Sequence, residues 1–421
     1  VSERVRTCVI AGGGPAGMIA GLVLARGGVD VVVLEKHRDF LRDFRGDTIH
    51  PSTLQLLEEL GLMDRFNHIA HHKVVSARLP APDGSQVTVM DFSRLNHPHP
   101  YLAMAPQWEF LNLLAEAGRE EPHFELRMNT EVTGLLWSKH DDDPEPDGHQ
   151  VSGVKVNGPH GESQIKALLT LAADGRDSAI RDEARLPAIS FPVPLDVWWF
   201  QVETEGPGTA TRSMVFPRLN AEYPVLPIPR GDYIQAAMLI PKGADAALRA
   251  RGDQALRREV TAALPECTAA AARLTLGDVK VLDVKMNRLE RWWRPGLLCI
   301  GDAAHAMSPV AGVGVNLAVQ DAVAAARLLT KPLRAGAVSD RHLAAVQRRR
   351  MPPTRLTQAF QRRVHAGLQR VFATGLPPSV PRSLERILRQ FPALSGVFPR
   401  LIGVGVRPEH APSWARRPPP D

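Results

Sequence analysis

The chain has 421 residues, 44% of them hydrophobic and 23% charged, with a formal net charge of +6. That is enough ordinary globular chain for two or more domains. Three widely spaced cysteines exclude a disulfide framework and a thiolate metal site and fit a reducing cytoplasm, and no run approaches the ~20 apolar residues of a membrane helix.

The first predicted elements are the most informative. Val5 to Ala11 is a short apolar run of buried-strand type, Pro15 to Arg26 a helix ended by Gly27 and Gly28, and Val31 to Leu34 a second strand closed by Glu35. Gly12, Gly14 and Gly17 fall in GxGxxG spacing, with Pro15 and Ala16 inside it. Gly12 allows a tight turn, Gly14 lets backbone approach a pyrophosphate, and Gly17 lets the helix pack closely on the sheet. The helix N-terminus offers free N–H groups to the phosphates, and Glu35 stands where an acid takes a ribose hydroxyl pair. The pattern is a dinucleotide site that does not separate NAD from FAD. Arg4 and Arg6 before this apolar stretch imitate a signal peptide, but the glycine fingerprint and the second strand argue for a retained domain.

A charged loop from Lys36 leads to Arg45, readable as a solvated arginine or as a cation near the cofactor, and then to a helix over Thr48–Leu60. Val74 to Val89 reads as a hairpin about Pro82-Asp83-Gly84, an excursion into another domain. Gln107 opens a helix that ends at Gly118. Strands over 131–137, 151–156 and 164–171 form a meander with a solvated acidic loop, His140 to His149. The third runs into Asp174-Gly175-Arg176-Asp177-Ser178 and then Arg181, which puts an acid and free N–H groups at a sheet edge.

From Ala188 to Lys285 short β-type runs (Val197–Glu203, Thr211–Phe216, Tyr223–Ile228, Tyr233–Ile240) and a helix near Ala244–Leu264 predict an antiparallel second domain. Its aromatics Trp198, Trp199, Phe200, Phe216, Tyr223 and Tyr233 are either core or the lining of an apolar pocket. A strand over Leu297–Ile300 then enters Gly301-Asp302-Ala303-Ala304-His305, followed by Pro309, Gly312, Gly314, Val315, Asn316 and an Ala-rich helix, Leu317–Leu329. This second strand–loop–helix can aim its N-terminus at an electron-rich ligand. His305 has no visible partner to make it a general base. The stretch from Arg348 is basic and helical, broken by Pro352-Pro353. It reads as a solvated face rather than a nucleic-acid surface, because aromatic interleaving and known binding motifs are missing. The tail Arg416–Asp421 is proline-rich and predicted to be disordered.

Together GGGPAG with Glu35, DGRDSAIR and GDAAHAMSPVAGVGVN resemble, in order and spacing, the single-component FAD-dependent aromatic hydroxylases of the p-hydroxybenzoate hydroxylase type, as far as about Leu329. The resemblance implies an α/β fold: a Rossmann-like FAD-binding domain (1–73, 100–182, 286–345), an inserted antiparallel-sheet substrate-binding domain (74–99, 183–285), and a C-terminal helical segment and tail (346–421). It implies that Gly12, Gly14, Pro15, Ala16 and Gly17 hold the FAD pyrophosphate, with Glu35 and Lys36 at the adenosine ribose. Arg45 and Gln107 would also contact FAD, and Asp174, Gly175 and Arg181 would serve both FAD and the nicotinamide cofactor. Gly301 and Asp302 would meet the ribityl chain, and Pro309 would lie beside the flavin ring. Gly312, Gly314, Val315 and Asn316 would surround the ring's edge with backbone donors.

The implied reaction is hydroxylation. NAD(P)H reduces FAD, O2 gives a flavin hydroperoxide, and an electron-rich aromatic or polyketide-like small molecule takes the oxygen in a water-poor pocket. Pro309 belongs to the implied catalytic set, and Tyr223 and Tyr233 are candidates to polarise a phenol. Ser308 before a single Pro309 departs from the paired prolines of some members, and the length leaves no room for the thioredoxin-like domain of many others. The alternative is a related FAD-dependent reductase or dehydrogenase without oxygen insertion. A flavin-dependent halogenase would have only Trp198-Trp199 to stand for its signature, and a non-enzymatic FAD sensor conflicts with the intact Asp-Gly motif. The expected partners are the small-molecule substrate and O2, with no nucleic acid and no membrane span. The expected setting is a cytoplasmic monomer or homodimer.

Overall fold

The computed structural model describes residues 5–41, 48–81, 83, 85–138, 150–204, 218, 221–230, 233–374 and 382–418. Arg45, Arg42, the turn residues Pro82 and Gly84, the loop His140–His149, the run Thr211–Phe216 and the last three residues lie outside the described residues.

In chain order the elements that position the site are β1 (Arg6–Ala11), α1 (Pro15–Arg26), β2 (Val31–Leu34) and α2 (Pro51–Glu59). They continue with the hairpin β3 (Ser76–Pro80) and β4 (Gln86–Asp91), then α3 (Gln107–Arg119), β5 (Phe124–Arg127), β6 (Glu131–Ser138), β7 (Gln150–Gly158) and β8 (Gly161–Ala172). The second half holds β9 (Ala188–Phe191), β10 (Leu195–Glu203), β11 (Val225–Pro229), β12 (Tyr233–Pro241), α4 (Asp253–Ala263), β13 (Lys280–Leu282), β14 (Met286–Leu289), β15 (Trp293–Arg294) and β16 (Leu297–Cys299). The last elements are α5 (Val313–Arg334), α6 (Asp340–Thr374) and α7 (Arg382–Gln390). Among the described residues, no helix is long and apolar enough to cross a membrane.

The main sheet runs β15-β16-β8-β1-β2-β5, parallel except for β15. Parallel strands buried on both faces read as continuous apolar runs, and β2 is Val-Val-Val-Leu, buried throughout. α1 is apolar on nearly every side because it lies between this sheet, α3 and α5. β8 is shared: its first half pairs antiparallel with β7, its second half parallel with β1. The predicted meander β6-β7-β8 therefore springs directly from the nucleotide-type sheet.

The second sheet, β11-β12-β10-β13, is antiparallel, with Trp199 opposite Ala237. Period-2 alternation gives it two apolar faces. Trp198, Phe200, Val202, Ile234, Ala236 and Met238 form a core with Leu256 and Val260 of α4. Val197, Trp199, Ala237 and Leu239 point the other way, toward the site. The helix expected near Ala244–Leu264 is split at Gly252 into Asp245–Arg249 and α4.

Some expectations need correction. α6 is not broken at Pro352-Pro353; it is one 35-residue helix that runs through both prolines. An interior proline costs a helix roughly 3 kcal/mol, and here Arg350, Met351, Pro353 and Thr354 are all buried, so packing offsets it. Nor is α6 merely solvated. Arg350, Thr354, Gln358, Gln361 and His365 recur at helical spacing as a buried polar stripe. The tail, too, follows a fixed path at its start. Arg416 Nε donates to Ala411 O, and Arg417 donates through its side chain to Trp414 O and through its backbone N–H to Glu59 O, so the predicted disorder does not begin at Arg416.

Candidate active site

One cavity of about 1780 Å³ joins the C-terminal edge of the parallel sheet to the second sheet. A single small-molecule site spans roughly 300–1,000 Å³, so this one has room for a large cofactor and a further ligand. Gly12, Gly14, Pro15, Ala16, Glu35, Lys36, Gln107, Asp174, Gly175, Asp302, Pro309, Gly312, Gly314 and Val315 line it. Residues far apart in the chain therefore meet on one surface.

The glycine loop is shaped by close approach. At Gly12, which has φ +105°, an added Cβ would stand 2.3 Å from Ala173 O, and at Gly17 it would stand 1.9 Å from Gly12 O. Gly17 is accordingly packed behind the loop and does not line the cavity. Gly14 differs: an added Cβ would meet nothing within 4 Å and would fill cavity space. α1 starts there without a side-chain cap, so its first N–H groups and its positive end are available to an anion. Glu35 is 2% exposed; its Oε2 accepts from Gly13 N at 2.9 Å and its Oε1 from His37 N at 3.0 Å. Glu35 lines the cavity at the end of β2, and these two backbone donors fix its carboxylate there.

The Asp-Gly loop sits against the glycine loop. Asp174 accepts from Ser178 Oγ at 2.6 Å and from Ile180 N at 3.3 Å. Burial nevertheless raises its pKa above the ordinary carboxylate value, against those two bonds. Arg181 faces away from the cavity. Its guanidinium donates to Arg176 O at 3.2 Å and Asp182 Oδ1 at 3.1 Å, so it braces the loop from behind.

The third loop carries the local strain. Ala311 has φ +63°, unusual for a residue with a side chain, and Gly312 follows at φ +62° as the uncapped start of α5. Gln361 of α6 brackets this loop: its Oε1 accepts from Ser308 N at 3.2 Å, and its Nε2 donates to Ser308 O at 2.8 Å and Val310 O at 2.9 Å. His365 reaches Ser308 Oγ at 2.8 Å. From the other side, Asn316 Oδ1 accepts from Ser52 Oγ and Thr53 Oγ1 at 2.8 and 2.9 Å, so its side chain ties α5 to α2 rather than entering the cavity. Gly301 also lies behind the wall, packed against Ala16 and Ala318.

His305 acquires the partner its sequence did not reveal. Its Nε2 lies 2.5 Å from Asp321 Oδ2, and Asp321 Oδ1 accepts from Arg350 Nε at 2.9 Å, all in the core. Burial works against the Asp321 carboxylate, but His305 and Arg350 hold its pKa below the ordinary range. This is a structural ion cluster away from the cavity lining.

Tyr223 and Tyr233 do not reach the cavity. Tyr223 packs against the core behind the second sheet, where burial and Glu222 raise the pKa of its hydroxyl. Tyr233 stands opposite Glu203 at the far end of β12. Of the aromatic candidates, Trp199 lines the cavity. The wall that sequence reasoning missed is C-terminal: Phe360, Arg363, Val364, Leu368 and Val371 of α6, then Ile387, Leu388 and Phe398. The signal was present as an i, i+4, i+8 apolar stripe, Phe360-Val364-Leu368, beneath the arginines. Arg363 is the charged side chain that α6 adds to this otherwise apolar end, among the described residues.

Comparison with known proteins matches residues 4–360 to the family described as FAD binding domain. 6-Methylpretetramide 4-monooxygenase of Streptomyces rimosus is 33% identical over 401 residues, 94% of this chain and 91% of that protein. Among solved structures, a probable FAD-dependent monooxygenase from Pseudomonas aeruginosa has a TM-score of 0.71 at 22% identity, over 87% of this chain and 98% of that one. Anhydrotetracycline hydroxylase from Streptomyces rimosus also has a TM-score of 0.71, at 24% identity, over 98% of this chain and 79% of that one.

Proposed function

The chain belongs to the FAD binding domain family and is an FAD-dependent monooxygenase, and from that premise we propose that it hydroxylates a polyketide-derived aromatic molecule bound between the second sheet and α6. One observation carries the reading: a single cavity runs from the glycine loops to an apolar wall, so cofactor and substrate share one enclosure. The relative in Streptomyces rimosus is named for 6-methylpretetramide, and an extended apolar wall suits a large, flat ring system.

The residues present fit FAD. The space beside Gly14 and the uncapped start of α1 suit its pyrophosphate, and Glu35 suits its ribose. Asp302, Pro309 and the backbone of Gly312, Gly314 and Val315 suit the ribityl chain and ring. Bound there, FAD supplies electron transfer from a reduced nicotinamide and the activation of O2.

The protein's own work is to hold and to exclude. Gln361 and His365 fix the loop beside Pro309. Val197, Trp199, Ala237, Leu239, Val364 and Leu368 keep water from the reacting end. The second sheet and α6 present no carboxylate, histidine or tyrosine to the cavity among the described residues. A substrate that carries its own ionisable hydroxyl suits this wall, where the Arg363 guanidinium would favour the anionic form. We assign residues 74–99 and 183–285 to the substrate-binding unit. Buried thiols at Cys8, Cys267 and Cys299 that form no disulfide with one another support a cytoplasmic setting.

The test is a panel of polycyclic phenols offered to the FAD-loaded protein with NAD(P)H, followed by mass spectrometry. Stimulated oxidation with a product heavier by one oxygen supports the reading; oxidation without oxygenated product favours a reductase.

A further inference from the structure

Residues 382–407 carry five arginines against a single acid, Glu385, and interleave them with apolar side chains. On α7 this makes two neighbouring rows at i, i+4 spacing, Arg382 with Arg386 and Ile387 with Phe391. The Phe391 N–H donates to Ile387 O at 2.8 Å and the Leu394 N–H to Phe391 O at 3.0 Å, so the apolar row continues into the turns that follow. The inner side of α7 is already partnered. Leu388 packs on Ala81 and Val87 of the β3–β4 hairpin, and Arg389 reaches Asp83 at the hairpin turn at 3.2 Å.

The outer side is uncovered. Ile387, Leu394 and Val397 line the cavity and are nevertheless 43, 43 and 61% exposed, and Phe391 between them is 55% exposed. Side chains that both line a cavity and face solvent mark its mouth. Large apolar side chains gathered at a surface point to a contact with something else. Arginines frame them. Arg386 precedes Ile387, and Arg400 lies one helical turn beyond Val397. Glu385 is taken up by Arg389 at 2.9 Å, while Arg382, Arg386 and Arg400 meet no carboxylate among the described residues.

We propose that this face seats on an anionic lipid bilayer, with Ile387, Phe391, Leu394 and Val397 in its apolar boundary and Arg382, Arg386 and Arg400 on its headgroups, and that the cavity fills with substrate dissolved in the bilayer. An apolar row flanked by cations is the pattern of an interfacial helix. A second copy of the chain fits the face less well, because a two-fold contact would set the arginine rows against each other. A protein seated there would plug the mouth of the cavity, whereas a bilayer presents the phase into which a polycyclic, poorly soluble molecule partitions. The lipid contact stands on this face alone; the delivery of substrate rests on the proposed function above.

The test uses the FAD-loaded protein and two readouts. The first is sedimentation with vesicles of phosphatidylcholine alone or mixed with phosphatidylglycerol. Binding to the anionic vesicles should be about tenfold or more stronger than to the neutral ones, and should weaken as salt rises from about 0.1 to about 1 M. Phe391→Glu and the double variant Arg386→Gln/Arg400→Gln should each lower it about tenfold or more, while Arg119→Gln on α3 leaves it unchanged. Flavin content and Tm establish that each variant is folded. The second readout is turnover of a polycyclic phenol that stimulates NAD(P)H oxidation. Supplied in anionic vesicles, it should be used about fivefold or more faster by the parent than by Phe391→Glu; supplied in solution, it should be used equally by both.

No binding to anionic vesicles, or equal binding to both kinds, overturns the proposal. So does a dimer in analytical ultracentrifugation that Phe391→Glu dissolves without any vesicle binding, which would give the face to a second copy. Vesicle binding that the arginine variant loses and Phe391→Glu keeps would reduce the face to a polyanion-binding surface, such as one for an acidic protein, and overturns it equally. Vesicle binding with no difference in delivery overturns the entry route. Failure of every phenol to be oxygenated would count against the proposed function instead, while sedimentation would still report on the lipid contact.

Discussion

Gly14→Ala adds one methyl group at the N-cap of α1, at φ −74°, where an added Cβ has no neighbour within 4 Å. The backbone angle suits alanine, and alanine caps slightly less well than glycine while ordering the unfolded chain slightly more, so the two effects nearly cancel. The stability of the FAD-free protein should change by no more than about 0.5 kcal/mol, or under about 2 °C in Tm. The methyl group does fill cavity space in front of the first N–H groups of α1. If the pyrophosphate approaches there, one charge-assisted hydrogen bond worth roughly 1.5–3 kcal/mol is lost, and the Kd for FAD rises about 10- to 150-fold. Gly17→Ala is the contrasting variant. Its Cβ would stand 1.9 Å from Gly12 O, so it should lower Tm sharply and damage the fold itself. Fluorescence titration of FAD into FAD-free protein, with thermal unfolding of both variants, separates the cases. A Gly14→Ala protein that binds FAD as tightly as the parent would refute the placement.

Three further outcomes are expected. Gln361→Ala leaves Ser308 N and the carbonyls of Ser308 and Val310 without their buried partner, so it should cost roughly 2–4 kcal/mol in chemical denaturation and weaken FAD binding as well. Ala237→Phe, opposite Trp199 on the cavity face, should raise the substrate KM by about tenfold or more with little change in FAD affinity; an unchanged KM would remove the second sheet from the substrate site. His50 is fully buried, and burial pushes its pKa down to about 4, against contacts with the Ala311 and Thr48 backbone. As pH falls the unfolded chain takes up this proton first, so the stability contributed by His50 is complete above the ordinary value near 6.5 and drains away between there and about 4. The loss is about 3 kcal/mol in all. Denaturation of the parent and His50→Leu at about pH 7 and about pH 4.5 should show a much smaller acid loss in the variant.

The part of the site that was legible is the part built from local rules. Gly12, Gly14 and Glu35 are one strand, one turn and one helix apart, and the apolar runs around them admit only a buried parallel sheet. The second sheet was legible as alternation, but alternation alone does not say which face is covered by α4 and which opens to the cavity. Tyr223 therefore looked as suitable as Trp199 until the strands were packed. The C-terminal contribution was hidden for another reason. Gln361 meets Ser308 across 53 residues, and nothing in a run of arginines and glutamines announces a partner that far away. Pro352-Pro353 misled in the same way, since the packing that carries α6 through them comes from Asp321 and the segment near Arg407.

The central claim is that the cavity brings FAD and an aromatic substrate together for oxygen transfer. A single-turnover reaction of the FAD-loaded protein under isotopically heavy O2, with a reduced nicotinamide and a polycyclic phenol that stimulates its oxidation, tests it directly. The account predicts one heavy oxygen atom in the product; an unlabelled or unoxygenated product would contradict it.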